Sequence, residues 1–490
     1  MYKDLREWIT QVESAGQLHR VGVPVSWNLE MSTVSYMASY TQQSPAVLFE
    51  NPTDSGIPGT SLLWNMLGSS EQRIALGLGL DPALPTRDLI RATRELLARP
   101  LIAPRMIDAS SAPVTQNSLF GEQIDLTRLP VPRMWPLDGG RYLGTGDVVI
   151  TRDPEDGTVN VGTYRQMLQG PREVGFYVSP GKDAFLQREK YWSKGQPCPV
   201  VAVYGVDPLL FMLGSQGFAR DVSEFDVGGG IRGEGIEVVI GPVTGLPIPA
   251  HAEIAVEGFA YPGDMKPEGP FGEFTGYYGK PEADAPVIKV EAVHHRDAPI
   301  LTCALMAEYP ACEQNTFFSI IRSAKIWDDL EKLGVPGIRG AYSHPAAAGG
   351  FGLVIVSLKQ ARPGHAAQVL ALAAQCPAAA YYTKWIVAVD DDVDPTKIDQ
   401  VLWAMTTRCN PSEDIDVLRM TWSSPLDPSQ NPPEKRPFGS KALVNACKDY
   451  RHIKTFSTRS HPKREVCEQV AKRWTELGFS APVPDVQSVE

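Results

Sequence analysis

From Asp147 to about His294 the chain spells short runs of strand-forming residues, separated by long Gly- and Pro-rich connections. No other feature constrains the fold as much. The runs are Asp147–Arg152, 158–166, 200–204, 236–240, 252–258 and 287–294. The first two flank Asp153-Pro154-Glu155-Asp156-Gly157, a turn sequence, and so predict a β-hairpin. A wound parallel sheet needs a helical crossover between its strands, and none is spelled here. Short strands with irregular links predict a β-barrel-like middle domain instead.

The flanks read differently. Leu5, Trp8, Ile9 and Val12 recur at helical spacing and stop near Ala15-Gly16. A second amphipathic helix is predicted over Thr86–Leu97, with Leu89, Ile90, Leu96 and Leu97 on its apolar side. The Pro-punctuated stretch 100–140 reads as a linker wrapping between domains. After Glu313, helix 316–333, strand 352–358, helix 364–375, strand 385–389 and helix 395–407 alternate in the βαβ rhythm of an α/β layer. An amphipathic helix at 463–477 follows a Pro-rich segment and suits packing on its own body or on a partner subunit. The fold class is therefore α/β in a multidomain α+β arrangement. A domain of mixed helix and strand signals spans 1–110, a central β-barrel-like domain 111–312, a C-terminal α/β domain 313–450 and a helical tail 451–490. At roughly 150 residues per domain, 490 residues agree with that count.

Composition narrows the partners. With 57 acidic against 46 basic side chains and no basic block, the net charge of −11 argues against nucleic acid or an anionic membrane. Seven scattered cysteines without C-x-x-C point to a reduced compartment. The opening MYKDLREWIT has no signal-peptide core and no window approaches 18 uninterrupted apolar residues, so a cytoplasmic location is expected. The eight histidines include no H-x-x-x-H, so a His-rich metal site is unsupported.

Three stretches carry chemistry. In Glu268-Gly269-Pro270-Phe271-Gly272-Glu273, the Gly and Pro residues break regularity, so a loop can fold both acids into one cavity and split their pKa values. Taken alone, a solvent-exposed Gly-Pro turn accounts for it better. In Asn160-Val161-Gly162-Thr163-Tyr164-Arg165, strand alternation puts Asn160 and Arg165 on opposite faces unless Gly162 kinks the chain. An ordinary hairpin remains the simpler account of that stretch alone. Gly228-Gly229-Gly230-Ile231-Arg232-Gly233 matches G-x-G-x-x-G formally. No apolar strand precedes it and no helix pattern follows, so it is not a dinucleotide fingerprint. Asp390-Asp391-Asp392-Val393-Asp394 lacks the glycine and glutamate of a calcium loop, and Asp394 reads as the cap of a helix whose first residue is Pro395.

In series, N-V-G-T-Y-R, S-E-F-D…G-G-I-R-G, E-G-P-F-G-E-F-T-G-Y-Y and T-K-W-I-V-A-V-D-D-D-V-D resemble the UbiD family of prenylated-flavin-dependent decarboxylases, from about Tyr2 to about Ala446. The resemblance implies a catalytic set of Arg165, Glu268 and Glu273, with Glu273 the proton donor and Glu268 paired to Arg165. It implies a prenylated FMN lined by Thr163, Tyr164 and Arg165, with Lys384 approaching its phosphate. It implies a divalent metal, commonly Mn2+, on Asn160 and Glu224, with K+ nearby. The cinnamate-type members carry Gln-His where this chain has Lys182-Asp183. Asp183 is a chemically reasonable oxygen ligand in place of that His, with Lys182 to offset its charge; a metal-free or differently coordinated phosphate site is the competing reading.

The implied reaction is non-oxidative, reversible decarboxylation of an aromatic or heteroaromatic acid, releasing CO2, with a flavin prenyltransferase supplying the cofactor. The segment 306–321 and the region 424–431 are expected to border the pocket by their order in the chain. Phe317, Phe318 and Tyr309 suit either its aromatic wall or ordinary helix packing. The family's split-barrel flavin domain and its homodimers or homohexamers are implied as well. The alternatives are an acyclic, cinnamate-like substrate, a flavin-binding paralogue without turnover, and a hydrolase using the two carboxyls as an acid/base pair.

Overall fold

The hairpin written into 147–166 organises the central layer of the computed structural model, which describes residues 1–279, 281–436, 438–484, 486 and 488. Asp147–Arg152 pairs antiparallel with Val159–Gly162, and the ladder stops at Gly162. The next strand, Gln166–Gly170, lies elsewhere in the same sheet. That ten-stranded sheet curls into a half-barrel. Its path runs Tyr142–Gly144, Gln166–Gly170, Glu173–Gly175, Ala283–His295, Ile254–Ala260, Cys198–Tyr204, Asp147–Arg152, Val159–Gly162. Met265–Glu268 and Asn117–Phe120 also pair with the long strand Ala283–His295.

The N-terminal helix forms at Leu5–Ser14, capped by Asp4, whose side chain accepts from Glu7 N. Its Leu5, Trp8, Ile9 and Val12 are buried, and Thr86–Leu97 is helical to the residue. The first sheet is Leu18–Val21, Ala46–Phe49, Ser61–Trp64 and then Ile300–Cys303, a strand from far along the chain that joins parallel to Ser61–Trp64. The C-terminal sheet has the order Ile338–Ser343, Leu353–Leu358, Trp385–Asp390, Phe438–Ala446, Ile415–Trp422. Its three central strands are parallel and its two outer pairings antiparallel. Helices Asn315–Lys332, His365–Gln375 and Ile398–Arg408 belong to this part.

The triple glycine lies within the helix Glu224–Arg232, with Ser223 as N-cap and Gly233 closing it in the left-handed region, and a strand, Glu237–Ile240, follows. Glycines destabilise a helix by about 1 kcal/mol each relative to Ala, but here nothing larger fits. A Cβ on Gly229 would sit 2.2 Å from Ile102 O, and one on Gly230 2.5 Å from Pro100 O. The wrapping 100–102 segment therefore lies directly on the helix backbone. Asp394 does not cap a helix beginning at Pro395. Its Oδ1 accepts from Thr396 N and Oγ1, closing a turn, and the helix begins at Ile398.

Met1–Cys447 forms one compact unit and Lys448–Glu490 a second. In the second, the helix covers Arg464–Lys472, shorter than the expected 463–477. Beyond it the chain turns back, Trp474 stacking on Phe479 at 4.2 Å and donating its Nε1 hydrogen to Ala481 O. Among the described residues no helix is long and apolar enough to cross a membrane.

Candidate active site

The site begins where the strand Val159–Gly162 ends. A side chain at Gly162 would collide with the Tyr164 ring, its Cβ falling 2.4 Å from the ring and hydroxyl. Only glycine lets the following residues fold back across the strand end. Thr163 leaves the ladder and donates its N–H to Gly214 O at 3.0 Å. Asn160, Thr163, Tyr164 and Arg165 all line one cavity of about 230 Å3 in consequence.

Arg165 gathers the two acids. Its Nε and Nη2 donate to Glu268 Oε1 and Oε2 at 2.8 and 3.0 Å, and its Nη1 donates to Glu273 Oε1 at 2.6 Å. The guanidinium also lies 4.7 Å from the Tyr177 ring centroid and 5.5 Å from that of Phe271. Burial pulls its pKa down, but Glu273 and Glu268 outweigh burial and hold it above the ordinary value.

The carboxyls differ in setting. Glu268, at the end of Met265–Glu268, has a side chain 1% exposed, takes two bonds from Arg165 and a third from Tyr142 O–H at 3.1 Å, and lies behind the cavity wall. Glu273, 8% exposed, takes one Arg165 bond and lines the cavity. Asp138 steadies the loop between them, accepting from Gly272 N at 3.1 Å and Trp135 N at 2.9 Å; burial pushes its carboxyl up to about 6.

A polar end adjoins this one. Asp183 is the first residue of helix Asp183–Trp192 and Glu224 the first of Glu224–Arg232. With Asn160 they line one small side pocket. Glu224 Oε2 accepts from Val161 N at 2.8 Å, and burial pushes its carboxyl up to about 8. Among the described residues no three His, Cys, Asp or Glu side chains cluster as a metal site; the set here is two carboxyls and an amide. Lys182 lines the cavity, burial lowering its pKa. Lys384 does not line it: its Nζ donates to buried Asp427 Oδ1 and to Ser429 Oγ, both at 2.8 Å.

Three domain models of 3-octaprenyl-4-hydroxybenzoate carboxy-lyase match in register along the chain: the N-terminal domain at 9–93, the Rift-related domain at 105–309 and the C-terminal domain at 315–446. The chain belongs to the UbiD family. Its fold is similar to vanillic acid decarboxylase of Sedimentibacter hydroxybenzoicus in closed form, at 29% identity and TM-score 0.86, over 97% of this chain and 99% of that one. It is similar to 3,4-dihydroxybenzoic acid decarboxylase (AroY) of Klebsiella pneumoniae at 27% and 0.83, over 98% and 100%. It is similar also to the UbiD-class enzyme HmfF of Pelotomaculum thermopropionicum in complex with FMN, at 25% and 0.82, over 94% and 98%. An evolved dimeric form of HmfF in complex with prFMN gives 24% and 0.81, over 95% and 98%. A carboxy-lyase is thus the enzyme class of this UbiD-family chain.

Sequence reasoning missed part of this UbiD-family site. Of the three aromatics left between wall and packing, Phe318 lines the cavity, Phe317 packs in the core against Phe211 at 5.5 Å and Tyr309 lies outside the lining. The wall is completed by Phe274, Phe351 and Tyr381, with Leu426 from the expected 424–431 region. Phe351 stacks 4.3 Å from Phe318 and 5.2 Å from Phe274, a cluster drawn from three distant stretches. Lys325 was also missed. Its Nζ donates to Gly217 O beside the cavity, and burial draws its pKa down to about 8 against the pull of Asp329 and Glu224. Nothing in the mixed stretch Arg322-Ser323-Ala324-Lys325-Ile326 marked this lysine out.

Proposed function

We propose that this chain catalyses non-oxidative, reversible decarboxylation of an aromatic or heteroaromatic carboxylic acid with prenylated FMN. One arrangement carries the reading: Arg165 bound to two carboxyls of unequal setting, in the wall of an aromatic-lined cavity. Two of the similar structures, named for vanillic and 3,4-dihydroxybenzoic acid, support a ring-bearing substrate.

The residues present fit the cofactor. Asn160, Asp183 and Glu224 supply oxygen donors for a hard cation such as Mn2+, with K+ beside it, and Lys182 supplies an ammonium for a phosphate. Tyr177 and Phe271 supply flat apolar faces for a ring. When bound, the prenylated flavin supplies the electron sink for the pair left by departing carbon dioxide.

The chain's own residues do the rest. Glu268 and Tyr142 hold the guanidinium of Arg165 in place. Glu273 delivers a proton to the carbon that has lost its carboxylate. The aromatic wall keeps water from the substrate carboxylate, which strengthens every charge interaction inside.

Co-production with a flavin prenyltransferase, then an absorption spectrum, cofactor mass and carbon dioxide assays across aromatic, heteroaromatic and cinnamate-type acids, tests the reading. Turnover of at least one ring-bearing acid is expected; turnover of acyclic unsaturated acids alone, or protein that takes up no flavin, rejects it. Dialysis against a chelator is expected to strip the flavin, and added Mn2+ to restore its retention on gel filtration. Flavin that stays on metal-free protein would refute the metal assignment.

A further inference from the structure

Asp147 opens the strand Asp147–Arg152 and pairs in register with Tyr204 of Cys198–Tyr204. It lines the same cavity as Asn160 and Glu273, is 1% exposed, and neither of its carboxyl oxygens has a hydrogen-bond partner among the described residues. Three other buried acids of this chain are answered by side chains: Glu253 by Arg6 and Arg296, Glu257 by His294 and Thr244, Glu268 by Arg165. Arg165, which lines the same cavity, is committed to Glu268 and Glu273. Burial holds the Asp147 carboxyl well above the usual carboxylate range. Such a group presents an O–H donor next to a C=O acceptor.

A second unmet group adjoins it. A Cβ on Gly144 would fall 2.8 Å from Asp147 Oδ2 and 3.0 Å from Gln166 Cβ, so both side chains pack on that glycine. Gln166, fully buried, accepts the Tyr204 O–H on its Oε1, and its Nε2 is without a partner among the described residues. The two side chains together leave a donor, an acceptor and a donor unused. Native interiors rarely leave such groups open unless a ligand or water closes them.

We propose that Asp147 recognises the imide edge of the flavin ring, pairing with one ring C=O and the ring N–H beside it, while Gln166, which does not line the cavity, packs behind it on Gly144. This rests on the flavin reading above. The acid O–H donates to the ring carbonyl and the acid C=O accepts the ring N–H.

Apoprotein is titrated with FMN and with N3-methyl-FMN, which cannot donate at that edge, following quenching of flavin fluorescence. Wild type is expected to favour FMN by about tenfold. Asp147→Leu should bind FMN about tenfold more weakly and lose the preference. Asp147→Asn keeps a donor beside an acceptor and should stay within about threefold of wild type. Wild-type protein that binds both flavins equally overturns the proposal, whatever the variants do. So does an Asp147→Leu protein that keeps the preference. Wild-type protein that binds neither flavin overturns the flavin reading along with it.

Discussion

Glu273→Gln is expected to remove decarboxylation while the flavin stays bound. Glutamine keeps the length of the side chain, and its amide oxygen still accepts the Arg165 Nη1 bond that Glu273 takes at 2.6 Å. What it lacks is a proton to transfer. Positioned proton transfer contributes about 10²–10⁴-fold in rate, so kcat should fall by at least about a hundredfold, with the flavin absorbance per protein unchanged. Steady-state carbon dioxide release alongside the spectrum measures both. Wild-type kcat in this variant would move the acid role to another group, and parallel loss of flavin would make Glu273 a binding residue first.

Arg165→Ala strikes deeper. It removes three charge-assisted hydrogen bonds at once and leaves Glu268 and Glu273 buried beside each other without a cation. Removing one partner of a buried ion pair costs about 3–5 kcal/mol. The variant should therefore unfold at lower temperature, bind flavin poorly and show no turnover. Arg165→Lys separates charge from geometry. An ammonium is a point donor and cannot span both carboxyls as the planar guanidinium does, so this variant should recover stability before activity. Thermal melts and flavin content read one effect, and kcat the other. An Arg165→Ala protein with full activity contradicts the proposed role of the triad.

Much of this was legible in local pattern. The helix Thr86–Leu97 and the strand Asp147–Arg152 follow from apolar spacing and turn chemistry alone. Gly162 left open that Asn160 and Arg165 share a cavity, because a strand cannot otherwise turn two side chains of opposite parity to one side, but an ordinary hairpin was the simpler account there. What stayed hidden is non-local. Nothing near Ile300 says that it will complete a sheet begun at Leu18, and nothing near Gly228 says that a wrapping segment will press on a helix there. Phe351 and Tyr381 reach the cavity wall only through the packing of three distant stretches. Lys384 was placed by motif at the cofactor, but a buried carboxyl on Asp427, which no periodicity reveals, holds its ammonium elsewhere.

The break in the ladder after Gly162 has one more implication. Asn160 stands at the polar end of the cavity and Arg165 between the acids, and a single short peptide joins them. That peptide acts as a covalent ruler. It sets how far the proposed anchorage and the proposed proton delivery stand apart. Adding or deleting one residue within it would let each station keep its own neighbours, yet put the two out of step with any molecule that must reach both.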